Sequence, residues 1–158
     1  MVVIADSSPL RYLIVFGEHG LLPELFGEVW IPSAVLNELS AASTPAEVRS
    51  FFGTPPAWLR VHDPSPENID FIAQDLDIGE RVALALAREV NADLVLLDDA
   101  AARKAAASLG LRVTGTVGVL RLAAERGLIE VPHVVAQLRQ SGFYLSESLI
   151  RVAFGQWL

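Results

Sequence analysis

No cysteine occurs anywhere in the 158 residues. Disulfides and thiolate metal sites are therefore excluded, and a zinc site would have to be built from three histidines and carboxylates. The histidines, His19, His62 and His133, are scattered without ligand spacing and read as surface or loop residues. No apolar run reaches the roughly 18 residues that a membrane span needs. No basic segment precedes an apolar stretch at the start, where Asp6 interrupts the run VVIA almost at once. Neither a signal peptide nor a membrane anchor is expected, which points to a cytoplasmic protein. Lysine occurs once, at Lys104, against 11 arginines, and the net charge is −7. That balance argues against a strong nonspecific grip on nucleic acid, which relies on basic side chains. Bound metal can neutralise part of it.

What is present is a core. Hydrophobic residues make up 52% of the chain and charged residues 20%, the balance of a folded domain rather than a disordered segment. The length favours one domain, residues 1–158, able to bury roughly 70% of its unfolded surface. Short β-branched apolar runs read as strands at residues 2–5, 29–31, 58–62, 94–97 and 111–114. Between them come helical patterns at 7–14, 21–26, 33–39, 46–52, 68–74, 78–90 and 100–109, the last stopped by Gly110. Gly115-Thr116 leads into a helix over 117–125, stopped by Gly127, and two further helices follow near 131–139 and 146–156. Strands that alternate with helices predict βαβ units, and so an α/β fold with a parallel sheet covered on both faces.

The distribution of acids is unusual. Asp6 ends VVIA, Glu38 lies in the helix after VWIP, Glu80 closes LDIGE at a helix start, and Asp98-Asp99 follow LVLL. In an open α/β sheet, ligands bind beyond the carboxyl ends of the strands. Acids gathered there repel one another unless a cation neutralises them, so the pattern points to Mg²⁺ or Mn²⁺ and to phosphate chemistry. Each acid also has a structural alternative. Asp6 can be a helix N-cap and Glu38 a solvent-facing helix residue. Asp77 and Glu80 have N-cap and N3 spacing, close to a capping box, which accounts for Asp77 without excluding a second role for Glu80. One of Asp98 and Asp99 can be a cap, leaving the other for a ligand. Arg103, four residues after Asp99, can pair with it or with a phosphate. Trp30 and Trp58 read as core aromatics. Trp157, beside Ile150, Val152 and Phe154, fits either an interface or a tail helix folded onto its own core.

The strings VVIADSSPL, IPSAVLNEL, LDIGERVALALA, ADLVLLDDAAAR and LRVTGTVGVL, in this order, resemble the PIN-domain ribonucleases, in particular a bacterial branch related to VapC-type toxins. The resemblance covers most of residues 1–128, and the C-terminal helices, about 131 to 156, fit it too. It implies a PIN-like three-layer α/β/α sandwich with a central, mostly parallel sheet of four to five strands. It places the acidic quartet on Asp6, Glu38, Glu80 and the Asp98/Asp99 pair, with Asp99 favoured as the last member and Asp98 close by. Glu80 stands where better-known members carry aspartate. Ser7 resembles the small hydroxyl residue after the first Asp; Asn37 and Thr116 are weaker matches, and Thr116 also fits a plain helix cap. Arg103 or Lys104 would hold the RNA backbone. The implied activity is a Mg²⁺- or Mn²⁺-dependent endoribonuclease that hydrolyses RNA, acting as a toxin silenced by a small antitoxin protein and forming a homodimer. Two other readings of the residues stand beside it: a non-catalytic PIN-like binding module, and another metal-dependent phosphoryl-transfer hydrolase. A haloacid-dehalogenase-type phosphatase would carry Asp-x-Asp after the first strand, where this chain has Asp-Ser-Ser.

Overall fold

Three buried residues, Val3–Ala5, form strand β1 at the middle of a five-stranded sheet in the computed structural model, which describes residues 1–143 and 145–158. The chain then runs through helices α1 (Ser7–Val15) and α2 (Leu21–Phe26), strand β2 (Val29–Ile31), helices α3 (Ser33–Leu39) and α4 (Ala46–Gly53), and strand β3 (Leu59–Val61). Helices α5 (Pro66–Ile69) and α6 (Ile78–Glu89), strand β4 (Leu94–Leu96), helix α7 (Ala100–Ser108) and strand β5 (Val113–Thr114) follow. The strand order is β3-β2-β1-β4-β5, and every pair is parallel. This all-parallel sheet flanked by helices is a PIN-like α/β/α sandwich.

Alternation along the strands explains why both faces need cover. Ile4, Val95 and Leu97 join a buried cluster with Ala83, Leu84, Ala87, Ala102 and Ala106 of α6 and α7. Val3, Ala5, Val29, Ile31 and Leu96 are equally buried and lie outside that cluster, on the other face. Strands buried on both sides read as unbroken apolar runs, and this is why the sequence marks β1 and β4 so clearly.

The expected helix over 68–74 is displaced. Helix α5 begins earlier, with Ser65 at its N-cap position and Pro66 in the first turn, and ends at Ile69. Ile72 and Leu76 are buried without belonging to a helix. The apolar spacing there reports burial, which the end of α5 and the loop after it supply by placing Ile69, Ile72 and Leu76 against the α6 cluster.

The histidines sit as expected, at surface or loop positions: His133 is exposed, His19 lies in a turn edge-on to Phe51 at 4.8 Å, and His62 lies in the loop after β3, stacked on Trp30 at 3.9 Å. Trp30 and Trp58 are half-buried rather than fully internal.

By its contacts the chain divides into Met1–Thr116 and Val117–Leu158. The second unit holds helix α8 (Thr116–Glu125, begun by the last residue of the first unit), α9 (Val131–Gln140) and α10 (Glu147–Phe154), closed by a 3₁₀ turn at Gly155–Trp157. Helix α9 buries Val131, Val134, Val135 and Leu138, one helical stripe. Ser146 caps α10, its hydroxyl accepting the Leu149 N–H at 3.2 Å. Ile150 and Phe154 are buried, whereas Val152 is 73% exposed on the opposite side of the helix. Arg139 donates two hydrogen bonds to Glu147, at 3.0 and 2.9 Å. Among the described residues, no helix is long and apolar enough to cross a membrane.

Candidate metal centre

The sheet topology decides where the acids go. Strand order runs outward from β1 through β2 to β3, then reverses to β4 and β5, so the reversal lies between β1 and β4. In parallel sheets the crevice at such a reversal, beyond the carboxyl ends of the strands, is the ligand site. Asp6 leaves β1 there and Asp98 leaves β4. Ala5 sits in register with Leu96, and the Asp6 N–H donates to the Leu96 carbonyl at 3.0 Å.

Asp6 occupies the N-cap position of α1 with extended backbone, yet its side chain makes no capping hydrogen bond. The residue is 6% exposed, and its Oδ1 is buried without a hydrogen-bond partner among the described residues. A buried acceptor without a donor is costly unless something outside the chain satisfies it. Burial pushes the Asp6 carboxyl up to about 7; the Ser7 backbone N–H opposes this, while the charges of Asp77, Glu38 and Asp98 add to it.

Glu38 reaches the same place from α3. A Cβ built on Gly79, in the first turn of α6, would lie 2.6 Å from Glu38 Oε2 and 3.4 Å from Asp6 Oδ1. The glycine thus leaves the space in which two carboxylates from different elements meet. The remainder of Glu38 is exposed, as expected for a residue bordering the apolar stripe of its helix.

Asp77 and Glu80 form a complete capping box. The Glu80 N–H donates to Asp77 Oδ1 at 2.8 Å, and the Asp77 N–H donates to Glu80 Oε1 at 3.2 Å. Glu80 is nonetheless buried at the crevice. Burial pushes its carboxyl up to about 7, with Asp77, Asp99 and Asp6 adding repulsion, against the lowering effect of the Asp77 N–H. The cap therefore occupies one Glu80 oxygen and leaves Oε2 free of that bond.

Asp98 and Asp99 diverge. Asp99 caps α7, its Oδ2 accepting the Ala102 N–H at 3.0 Å, and its side chain is exposed. Asp98 is half-buried and saturated with donors: Thr116 N–H to Oδ1 at 2.7 Å, Thr116 Oγ1 to Oδ2 at 2.7 Å, and Ser8 Oγ to Oδ2 at 3.1 Å. Thr116 is fully buried. Beside it, a Cβ on Gly115 would lie 2.7 Å from Asp98 Oδ1, 3.0 Å from an Arg103 guanidinium nitrogen and 3.2 Å from the Leu97 carbonyl. In Gly115→Ala the Arg103 guanidinium can move aside, but Asp98 is pinned and Leu97 is backbone, so the clash is not relieved cheaply. It is expected to lower stability by about 1–3 kcal/mol, read from urea melts.

Of the sequence-derived residues, the structure brings together Asp6, Glu38, Glu80, Asp98 and Thr116. Asp99 lies at the edge, close enough for its charge to act on Glu80. Arg103 lies beside Asp98 at Gly115, and no ion pair within 4.0 Å joins it to Asp99. The Ser7 backbone N–H acts on the Asp6 carboxyl, opposing its upward shift. Asn37 and Lys104 are exposed. Three participants escaped sequence reasoning. Ser8 rather than Ser7 bonds Asp98 from 90 residues away. Asp77 acts on Asp6 as well as capping α6. Gly79 carries no side-chain signal at all.

Among the described residues, no group of three acid or histidine side chains is gathered tightly enough to form a ready-made coordination sphere. The donors that are present, an orphaned buried carboxylate oxygen beside a second carboxylate, fit a hard cation that takes one or two carboxylates and keeps water for the rest.

The all-parallel α/β sandwich thus carries carboxylates at its topological crevice. A family model described as PIN domain (DUF3368) matches residues 2–157, and the chain belongs to the PIN-domain family. PIN domains are generally nucleases. No curated protein matches the chain.

Proposed function

We propose that the chain is a Mg²⁺- or Mn²⁺-dependent endoribonuclease that hydrolyses RNA phosphodiester bonds, with Asp6, Glu38, Glu80 and one member of the Asp98/Asp99 pair forming the acidic cation side. The observation that carries this reading is Asp6: a carboxylate in an N-cap position that does not cap, buried at the strand reversal with an unpartnered oxygen. A residue kept only for helix capping would spend that oxygen on an α1 N–H.

When bound, the cation supplies Lewis acidity toward the phosphoryl oxygens and lowers the pKa of water. The chain's own groups do the rest. Asp6 and Glu38 each bring an oxygen close to the position a Cβ on Gly79 would take, at 3.4 and 2.6 Å. Glu80 is fixed by the capping box with one oxygen to spare. Arg103, at the rim beside Asp98, meets the anionic backbone of the RNA, and Lys104 follows it on the exposed part of α7. At a net charge of −7, substrate is recruited through the site itself rather than by a broad basic face.

The proposal extends to a toxin of a toxin–antitoxin pair, acting in the cytoplasm as a homodimer. A small antitoxin protein inserting a basic side chain among the acids would silence it and relieve the same repulsion that the cation relieves.

Purified protein, freed of metal and then given Mn²⁺ and a structured RNA, is expected to cleave it. The Asp6→Asn and Asp98→Asn variants are expected to lose that cleavage. No cleavage by the parent, together with no metal-dependent rise in melting temperature, overturns the proposal. Release of phosphate from small esters, without RNA cleavage, favours a phosphatase instead.

A further inference from the structure

Asp98 differs from the other crevice acids in how it is held. Its Oδ2 accepts two hydroxyl protons, from Ser8 in the first turn of α1 and from Thr116 at the start of α8, and its Oδ1 accepts the Thr116 backbone N–H. A carboxylate oxygen has two acceptor positions, so Oδ2 is filled and Oδ1 keeps one open. Gly115 leaves room at Oδ1 that any Cβ would take, at 2.7 Å. Three donors hold the carboxylate in one orientation. Asp99, in contrast, spends one oxygen on the α7 cap and is otherwise exposed.

We infer that Ser8 and Thr116 are positioning residues. They form a hydroxyl clasp that fixes Asp98 so that only Oδ1 is presented to the crevice, and Asp98 rather than Asp99 completes the cation side. This rests on the proposed cation-dependent nuclease reading. The clasp links residues about 90 and 18 positions away from Asp98 in sequence, at the three chain segments that converge on the β1–β4 crevice. A plain helix cap at α8 would need only the carboxylate and the Thr116 N–H. The two side-chain hydroxyls on Oδ2 serve the orientation of Asp98, not the helix.

Outer partners of ligating groups typically change metal affinity by 10- to 100-fold when removed. Calorimetric titration of the metal-free full chain with Mn²⁺ should therefore show about tenfold weaker binding for Ser8→Ala and for Thr116→Val. Thr116→Ser keeps both donors and should bind like the parent. The Mn²⁺ concentration giving half-maximal RNA cleavage should rise by the same factor, with the rate recovering at saturating Mn²⁺. Melting of the metal-free variants runs alongside, because a merely structural clasp would lower the melting temperature and leave the Mn²⁺ affinity alone. That pattern, unchanged Mn²⁺ affinity in Ser8→Ala and Thr116→Val with a parent that binds, overturns the clasp and leaves the nuclease reading standing. A parent that takes up no Mn²⁺ overturns both.

Discussion

Asp6→Asn is expected to stabilise the metal-free protein at pH 8 while abolishing its activity. The carboxyl of Asp6 moves from 3.8 to about 7 on folding, chiefly through burial. Below about pH 4 it is protonated in both states and has no pH-dependent effect. Between about 4 and 7 the unfolded chain releases the proton and the folded chain keeps it. Folding then takes up a proton, and stability falls as pH rises. Above 7 the folded protein carries the buried charge and the loss is complete. At about 1.4 kcal/mol per pH unit, the loss reaches at most about 4 kcal/mol. Asparagine cannot ionise, so the variant escapes it. At 2–4 °C per kcal/mol for a chain of this size, its metal-free melting temperature at pH 8 should exceed the parent's by up to roughly 8–16 °C, and the gap should close by pH 4. Adding Mn²⁺ should raise the parent alone. Loss of cleavage by at least about a hundredfold accompanies it, since the variant lacks the charge that holds the cation. Scanning calorimetry across pH 4–8 checks the stability half, and RNA cleavage the other.

Gly79→Ala should separate fold from function in a different way. The glycine sits in the first turn of α6, where alanine is favoured by up to about 1 kcal/mol as a helix former. The added methyl would fall 2.6 Å from Glu38 Oε2, the end of an otherwise exposed and flexible side chain. Glu38 can swing outward at little cost. The expected result is an unchanged or higher melting temperature, with Mn²⁺ binding and RNA cleavage both reduced by at least about tenfold, as when a metal-site group loses its orientation. If Gly79→Ala instead unfolds the protein, Glu38 is pinned and the space is a packing requirement. If activity is untouched, Glu38 is no part of the cation side.

The two central strands were plain in the sequence because they are buried on both faces: VVIA and LVLL contain nothing else to read. Helix α6 was equally legible, with its box acids at the start and an apolar body. Where spacing misled, at Ile69, Ile72 and Leu76, three residues share a core contact without sharing a helix. The acids were legible as a set but not as individuals. Asp6 and Asp99 both looked like caps, and only one of them caps. Nothing local distinguishes them, since the difference lies in how β1 and β4 end side by side and what their neighbours donate. Ser8 is invisible for the same reason: its partner arrives through strand pairing, not through sequence proximity. Asp77 was legible as a cap, and its charge on Asp6 follows only from the packing of α6 against β1.

The central claim is that the orphaned oxygen of Asp6 belongs to a divalent cation. The most direct measurement is Mn²⁺ binding followed by electron paramagnetic resonance at pH 7.5, where bound ion leaves the signal of free Mn²⁺. The parent should remove Mn²⁺ from solution in a saturable manner, competed by Mg²⁺, and Asp6→Asn should bind at least about tenfold more weakly. A parent that leaves the free signal undiminished, or an Asp6→Asn variant that binds as well as the parent, contradicts the account.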